Sequence, residues 1–432
     1  MIERYLNIAR EVIDLSLKQG AEQVSVSLAN ATSFQLEVRN QNIEALKEAG
    51  SSGIHVTLAK NQKRSTLSSN DFRLETLEPL IRSTLEALPL MGEDPFYTLP
   101  DPKLQGKAEI DLQFRDPNFE KMASTEKINE LMLLEKEALS IDSRLQTEEI
   151  SFSDSISYMV HGDSNGFLEG CSKTLCSQGV SMFAEDGGEE TEGSSQSLNT
   201  GRKQSDGWYS SSRFRKDLES REDLARKAGE RTLRKLGSVK PKSCEVPVVF
   251  STEMAQSFLG SLASAMMGDN VFRKHSFLKD SLGETVANPE IRLSDEPLLP
   301  GKLGSRHYDS EGVKATPLML IDQGKLLSFM CSTYSANKLD RQSTGHAGGI
   351  SNLMLKPGNY SDEELIASID NGLYLTGMSG QGVNLTTGDY SRGAQGLWIR
   401  KGKLAEPVSE FTIASTFPVM LKGISMIGSE VD

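Results

Sequence analysis

An α+β protein of more than one domain is what this sequence predicts, and three observations predict it. Its 432 residues exceed what a single hydrophobic core ordinarily supports. Stretches with helical spacing of apolar residues alternate along the chain with blocks of strand-like alternation. Between two apolar, strand-like runs, Gly372 to Gly396 packs seven glycines into twenty-five residues. No plain sheet explains that density, because glycine weakens strand interiors and is kept where the backbone needs positive φ, a bulge or a close approach.

The elements follow in order. Ile2, Tyr5, Leu6, Ala9, Val12 and Ile13 recur at three and four, which predicts an amphipathic helix ending at Gly20. Gln23 to Leu28, Ser33 to Arg39, Ile43 to Lys47 and Gly53 to Ala59 alternate as strands do, and Thr76 to Leu88 returns to helical periodicity. Four prolines in Pro89 to Pro102 exclude a helix or central strand there and predict a linker or wrapping loop. Asn118 to Ser140 reads as helix, Glu148 to Tyr158 as strand, His161 to Gly166 as a turn, and Gly170 to Met182 as strand again. Ala184 to Arg202 is acidic and then Ser/Gly-rich without periodicity, a mobile hairpin or loop. Leu218 to Leu236 is a helix stopped by Gly237 and Pro241. Val246 to Phe250 opens a new unit as a short strand, followed by a helix over Glu253 to Met267 whose small residues suit tight packing. Turns and strands fill the remainder. Three units are expected: residues 1–105, helix plus antiparallel sheet; 106–240, a middle α/β segment; and 241–432, a β-rich domain of mixed, barrel-like sheet around a buried helix.

Composition narrows the function. Hydrophobic residues make up 37% and charged residues 25%, the balance of a soluble globular protein. No run approaches the apolar length of a spanning helix, and the N-terminus lacks the plan of a secretory signal, so no membrane role and a cytoplasmic location are expected. The net charge of −13 opposes direct nucleic-acid binding unless basic residues concentrate, as in Arg213 to Lys216 or Arg226 to Lys240. The second has the spacing of a solvated helix face. The four cysteines, Cys171, Cys176, Cys244 and Cys331, form neither a disulfide framework nor a zinc motif and read as reduced thiols.

Catalytic chemistry is not written in a motif. The five histidines include no pair spaced to grip one metal from a helix, and there is no H-E-x-x-H or G-x-S-x-G. His307, Asp309 and Glu311 alternate, which places them on one face if they form a strand, either as a metal or acid/base cluster or as a solvated polar face. His346, in the turn-like STGHAGG, is open to a structural or a functional reading. Within the glycine-dense stretch, Ser379, Gln381, Asn384, Thr386, Thr387, Asp389, Tyr390, Ser391 and Arg392 supply hydrogen-bonding groups but no His or Cys. The stretch is either a set of tight turns or a loop gripping an extended ligand.

Several runs together resemble one family. They are GFLEGCSKT (166–174), VFRKHSFLKDSLGE (271–284), YDSEGV (308–313), STYSANKLDRQSTGHAGGISN (332–352), MSGQGVNLTTGDYSRGAQGLWI (378–399) and EPVSEFTIAS (406–415). They are similar to the TldD/PmbA family, also known as modulators of DNA gyrase, over almost the whole chain. The resemblance implies one of two sister branches. TldD-like chains carry an H-E-x-x-x-H zinc helix with a later Cys as third ligand; TldE-like chains share the fold without that site, and the two pair as a cytoplasmic metalloprotease acting on unfolded peptides.

Set against that pattern, Leu259, Gly260 and Ser264 stand where His, Glu and His would be, and Ser379 falls near the third ligand. The TldE-like branch is therefore expected, with residues 241–432 equivalent to the protease domain of the sister chain. No catalytic residue, metal or other cofactor is expected on this chain, the zinc being in a TldD-like partner. The expected contacts to an unfolded peptide or to the partner are Thr344, Gly345, His346, Gly380, Gly382, Asp389, Tyr390, Ser391 and Arg392. A homodimer is expected when the partner is missing. The alternatives are a gyrase-linked protein-binding modulator without protease chemistry, and a metallopeptidase acting through His307, Asp309 and Glu311, or His346.

Overall fold

The computed structural model describes residues 1–186 and 202–431. Helix α1 (Ile2–Lys18) leads into three antiparallel strands, β1 (Gln23–Arg39), β2 (Asn42–Lys60) and β3 (Lys63–Ser69), and then α2 (Leu74–Ala87). A long irregular passage follows, as the prolines predict, before α3 (Ser124–Ser140), β4 (Gln146–Asp163), β5 (Leu168–Glu185), β6 (Lys203–Ser212) and α4 (Arg221–Leu233). All six strands form one antiparallel sheet in the order β3-β2-β1-β4-β5-β6. The stretches 1–105 and 106–240 thus share a sheet.

The length of the strands organises this half. β1 and β4 run 17 and 18 residues, long enough to carry two separate helix pairs on one face. Val24, Val26 and Leu28 of β1 bury against Tyr5, Ala9 and Val12 of α1 and Leu77 and Ile81 of α2. Further along the same strand, Phe34, Leu36 and Val38 bury against Leu131, Leu134 and Ala138 of α3 and Leu224, Ala225 and Ala228 of α4. All six β1 residues share one parity, so they face one side. Each fully buried leucine, isoleucine or valine contributes about 1.5–3 kcal/mol.

The β1–β2 and β2–β3 turns use Asn-Gln rather than Asn-Gly. Asn40, Gln41, Asn61 and Gln62 all have positive φ, the geometry of a two-residue hairpin. A buried carboxylate secures the first: Glu135 of α3 accepts from the N–H groups of Asn40 at 2.7 Å and Gln41 at 2.6 Å. Glu22 does the same for Asn61 N–H at 3.0 Å.

The second half begins with β7 (Val248–Phe250), α5 (Thr252–Ala265) and α6 (Gly268–Phe272). Short strands β8 (Leu293–Asp295), β9 (Leu318–Asp322) and β10 (Lys325–Leu326), helix α7 (Thr333–Lys338) and β11 (Leu353–Leu355) come next. The chain continues through α8 (Asp362–Ala367), β12 (Asn371–Ser379), β13 (Val383–Asn384), β14 (Asp389–Arg400) and β15 (Lys403–Thr416), and α9 (Phe417–Gly423) follows. The strands make two open sheets, β10-β9-β8-β11 and one in which β14 pairs with β12, β13 and β15 while β7 runs parallel to β12. The expected barrel-like closure is not formed among the described residues. Strands of two to five residues in the first sheet, and a β7 that matches β12 over only three residues, are too short to continue a ladder round a cylinder. The buried helix is present: Phe258, Leu262, Ala263 and Ala265 of α5 pack in one core with Tyr390 and Phe417.

This half docks on the other face of the six-stranded sheet. Gly106 N–H donates to Gly312 O at 3.1 Å, Phe167 packs edge-on against Tyr308 at 5.0 Å, and Lys173 Nζ reaches Ser305 O at 3.2 Å. Most of the Ala184 to Arg202 segment lies outside the described residues. Cys171 and Cys176, both free, have opposite parity on β5 and point to opposite faces.

Candidate functional site

The glycine-dense stretch and α5 meet in the structure. The apolar stripe of α5 explains its orientation: Phe258 lies 4.9 Å from the Phe417 ring and 5.8 Å from that of Tyr390, fixing one face inward. The other face carries Ser257, Gly260, Ser261 and Ser264, all half-buried. A side chain at Gly260 would meet no atom within 4 Å, so the helix there borders open space. Ser264 donates to Gly260 O at 2.9 Å and its own carbonyl accepts from Asn270 Nδ2 at 2.7 Å. Leu259 packs at the edge of the core. Ser379 ends β12 opposite Gly393 on β14.

This set does not fit zinc. Leucine and glycine carry no ligand atom, the Ser264 hydroxyl is already turned to the Gly260 carbonyl, and zinc takes thiolate, imidazole or carboxylate. Among the described residues no three His, Cys, Asp or Glu side chains stand together as a metal site.

The glycines serve two ends. At Gly382 a Cβ would lie 1.4 Å from Ser391 O, so only glycine lets β13 approach β14. Gly380 has φ of +79° and nothing near its Cβ, a turn position bordering free space. The tight-turn reading has residues that require it; the ligand reading has open space at Gly380.

Arg392 spans strand and helix. Its Nη1 donates to Ser257 Oγ at 2.8 Å, its Nε is buried with no partner, and no carboxylate pairs with it among the described residues. Tyr390 is 1% exposed, its hydroxyl 2.9 Å from Met378 Sδ, and burial pushes its phenol pKa up. Tyr390 is therefore a core residue that aims the strand. Asp389 is exposed and accepts from Thr387 Oγ1 at 2.6 Å; Ser391 is also exposed.

Thr344, Gly345 and His346 form a turn apart from these residues. Thr344 Oγ1 accepts from Cys331 N–H at 2.8 Å, and Gly345 has φ of +73°. His346 is 1% exposed, with Nε2 at 3.0 Å from Asp295 Oδ2 and Nδ1 at 2.8 Å from Thr344 O. Both ring nitrogens are engaged internally. Burial pushes the Asp295 carboxyl up, but hydrogen bonds from His346 and from Ser351 outweigh it and hold the pKa below the usual range. The histidine is a structural tie between β8 and this turn.

His307, Asp309 and Glu311 do not share a strand face. They sit in a turn region where Asp309 accepts from the N–H groups of Glu311 at 2.9 Å, Val313 at 3.0 Å and Ala347 at 2.9 Å. Glu311 instead caps α7 through Thr333 N–H at 2.8 Å, and His307 packs edge-on against Phe114 at 5.2 Å. Burial raises the pKa of both carboxyls. The alternation failed as a guide because turn hydrogen bonding, not pleating, directs these side chains.

Sequence reasoning missed Ser257 and Asp295. The i, i+3, i+7 spacing of Ser257, Gly260 and Ser264 could have singled out the first; Asp295 is separated from His346 by 51 residues and carries no local signal.

Comparison with known proteins gives two family matches. Residues 243–432 match the PmbA/TldA metallopeptidase C-terminal domain and residues 117–236 the PmbA/TldA metallopeptidase central domain. The chain is 32% identical over 434 residues to the metalloprotease PmbA homolog of Buchnera aphidicola, covering 99% of this chain and 92% of that protein. It is 29% identical to metalloprotease PmbA of Escherichia coli O157:H7, covering 100% and 93%. Among solved structures, a protein of Bacteroides thetaiotaomicron described as a modulator of DNA gyrase superposes with a TM-score of 0.90 at 28% identity, covering 98% of this chain and 93% of that one. TldE from Thermococcus kodakarensis superposes with a TM-score of 0.84 at 20% identity, covering 98% and 94%, a likeness of fold.

Proposed function

The chain belongs to the PmbA/TldD metallopeptidase family, and from that premise we propose that it is the TldE-type subunit of a two-chain peptidase, supplying a peptide-holding wall while a TldD-like partner supplies the zinc. One observation carries the reading. At the α5 positions where the resemblance places the ligands of a TldD-like chain stand Leu259, Gly260 and Ser264, yet Gly260 borders open space and Arg392 is tethered to Ser257 on the same face. On this reading the open face is retained while the donors that the resemblance gives a TldD-like chain are replaced.

Such a wall suits an extended peptide. Backbone groups along the glycine-rich strands pair with any main chain, so recognition is tolerant of sequence, as in strand addition. Arg392, Ser391 and Asp389 supply polar contacts beside it, and the zinc of the partner, when bound, supplies the activated water. Folded proteins lack a free extended segment to offer, which restricts the substrate to unfolded chains.

The reading is tested by mixing the purified chain with a TldD-like protein and following cleavage of an unfolded peptide. Cleavage by the mixture and by neither chain alone is the expected result, with Arg392→Ala lowering the mixture's kcat/KM at least tenfold. Chelator-sensitive cleavage by this chain alone would overturn it.

A further inference from the structure

A cavity lies toward the N-terminal end of α5, where the two halves of the molecule meet. It measures about 360 Å³ and opens between α4 and β6 on one side and the first turn of α5, β12 and the C-terminal residues on the other. Its volume falls in the range of small-molecule pockets. Most of its charges are already paired. Arg231 holds Glu253 at 2.5 Å, Lys227 holds Glu219 at 2.8 Å, and Glu230 is turned to Arg226 at 3.2 Å.

Arg234 is the exception. It lines the cavity with no ion-pair partner among the described residues, and its Nε is buried without a hydrogen bond. A guanidinium nitrogen buried without a hydrogen bond is costly unless a ligand completes it. Burial and the neighbouring Arg231 lower its affinity for its proton, against the opposing pull of Asp206, Glu253 and Tyr374. The opposite wall is acidic: Asp362, one of whose oxygens accepts from Tyr374 Oη at 3.2 Å, and the exposed Glu430 at the rim. Aromatic walls are given by Trp208 and Tyr374.

We propose that this junction cavity binds the zwitterion of a short peptide, its carboxylate on Arg234 and its ammonium between Asp362 and Glu430. A single unpaired cation inside and carboxylates at the rim match one negative and one positive end. A simple anion would leave the rim carboxylates unmatched. The argument uses only these charges and this volume, so it is independent of the subunit role proposed above.

Titration calorimetry on the full chain tests it, with dialanine as the probe and no cleavage involved. Dialanine is expected to bind, and N-acetyl-dialanine and dialanine amide each at least tenfold more weakly. Arg234→Ala should weaken dialanine at least tenfold. Val431→Trp, a change at an exposed rim residue that leaves the core untouched, should do the same by blocking the mouth. Failure of dialanine to bind would overturn the proposal, as would unchanged affinity in Val431→Trp or inorganic phosphate binding as tightly as dialanine.

Discussion

His161 and Asp295 both lose their contribution to folding on acidification, in two successive pH windows. His161 on β4 is 7% exposed, with Nδ1 at 3.0 Å from Ser27 Oγ, and burial lowers its pKa to about 4. The unfolded chain, with an ordinary imidazole, binds the proton first, so His161 favours folding above about pH 6.5 and that contribution is lost as the pH falls toward 4. Chemical denaturation at pH 7 and pH 4 should show wild type losing about 3 kcal/mol more than His161→Gln, at about 1.36 kcal/mol per unit; equal losses would refute the neutral buried ring. Asp295 acts lower down. Its pKa is held below the usual value, so its contribution is present above about pH 4 and lost only below that. Asp295→Ala should cost about 3 kcal/mol at pH 7, because His346 and both donors of Ser351 lose their buried acceptor. Neither role was visible in sequence, where His161 read as part of a turn and Asp295 drew no notice.

At the scale of elements, legibility followed periodicity. Helices α1, α2, α3, α4 and α5 and the strands β4 and β5 were legible because an apolar residue recurs on their buried side, and β7 as a short apolar run. β1 and β2 each read as two shorter strands because their middles lack that alternation. β3 (KRSTLSS) and β6 (KQSDGWYSSS) were not legible, since one or two apolar residues among serines and other polar ones make no alternation. The short helices α6 to α9 run seven residues or fewer, under two turns, and leave no period to read. The Asn-Gln hairpins were also illegible as tight turns, lacking the glycine that signals them. Their support comes from afar. Glu135 is fully buried and serves Asn40 N–H, Gln41 N–H and the Thr147 hydroxyl, the last at 2.8 Å. Glu135→Ala should therefore cost about 3 kcal/mol, from hydrogen bonds to a charged group left unmade. Hydrogen exchange should speed selectively at Asn40 and Gln41; uniform change along β1 and β2 would argue against a local cap.

For the whole molecule, the decisive question is what locks the second half onto the sheet. Arg213 belongs to the basic run read as the nearest nucleic-acid candidate, yet it is 7% exposed inside the junction. Its Nη1 donates to Thr174 O at 3.2 Å and its Nη2 to Leu303 O, so one guanidinium ties β5 to the loop of the other half. Lys173 repeats the device on Ser305 O, its pKa lowered by burial and by Arg213 and Arg306 nearby. Cations that point at backbone carbonyls across a junction act as clamps, and a basic run in sequence does not distinguish a clamp from an open patch. Removing one clamp leaves two carbonyls unpaired and a void beside Phe114, while each half keeps its own core. Calorimetry should then resolve the coupling: a single unfolding transition in wild type, and in Arg213→Ala a lower, split or broadened one, with limited proteolysis entering first between residues 99 and 116. A single sharp transition at the wild-type temperature would mean that the apolar junction around Phe167 and Tyr308 holds the halves together without the guanidinium.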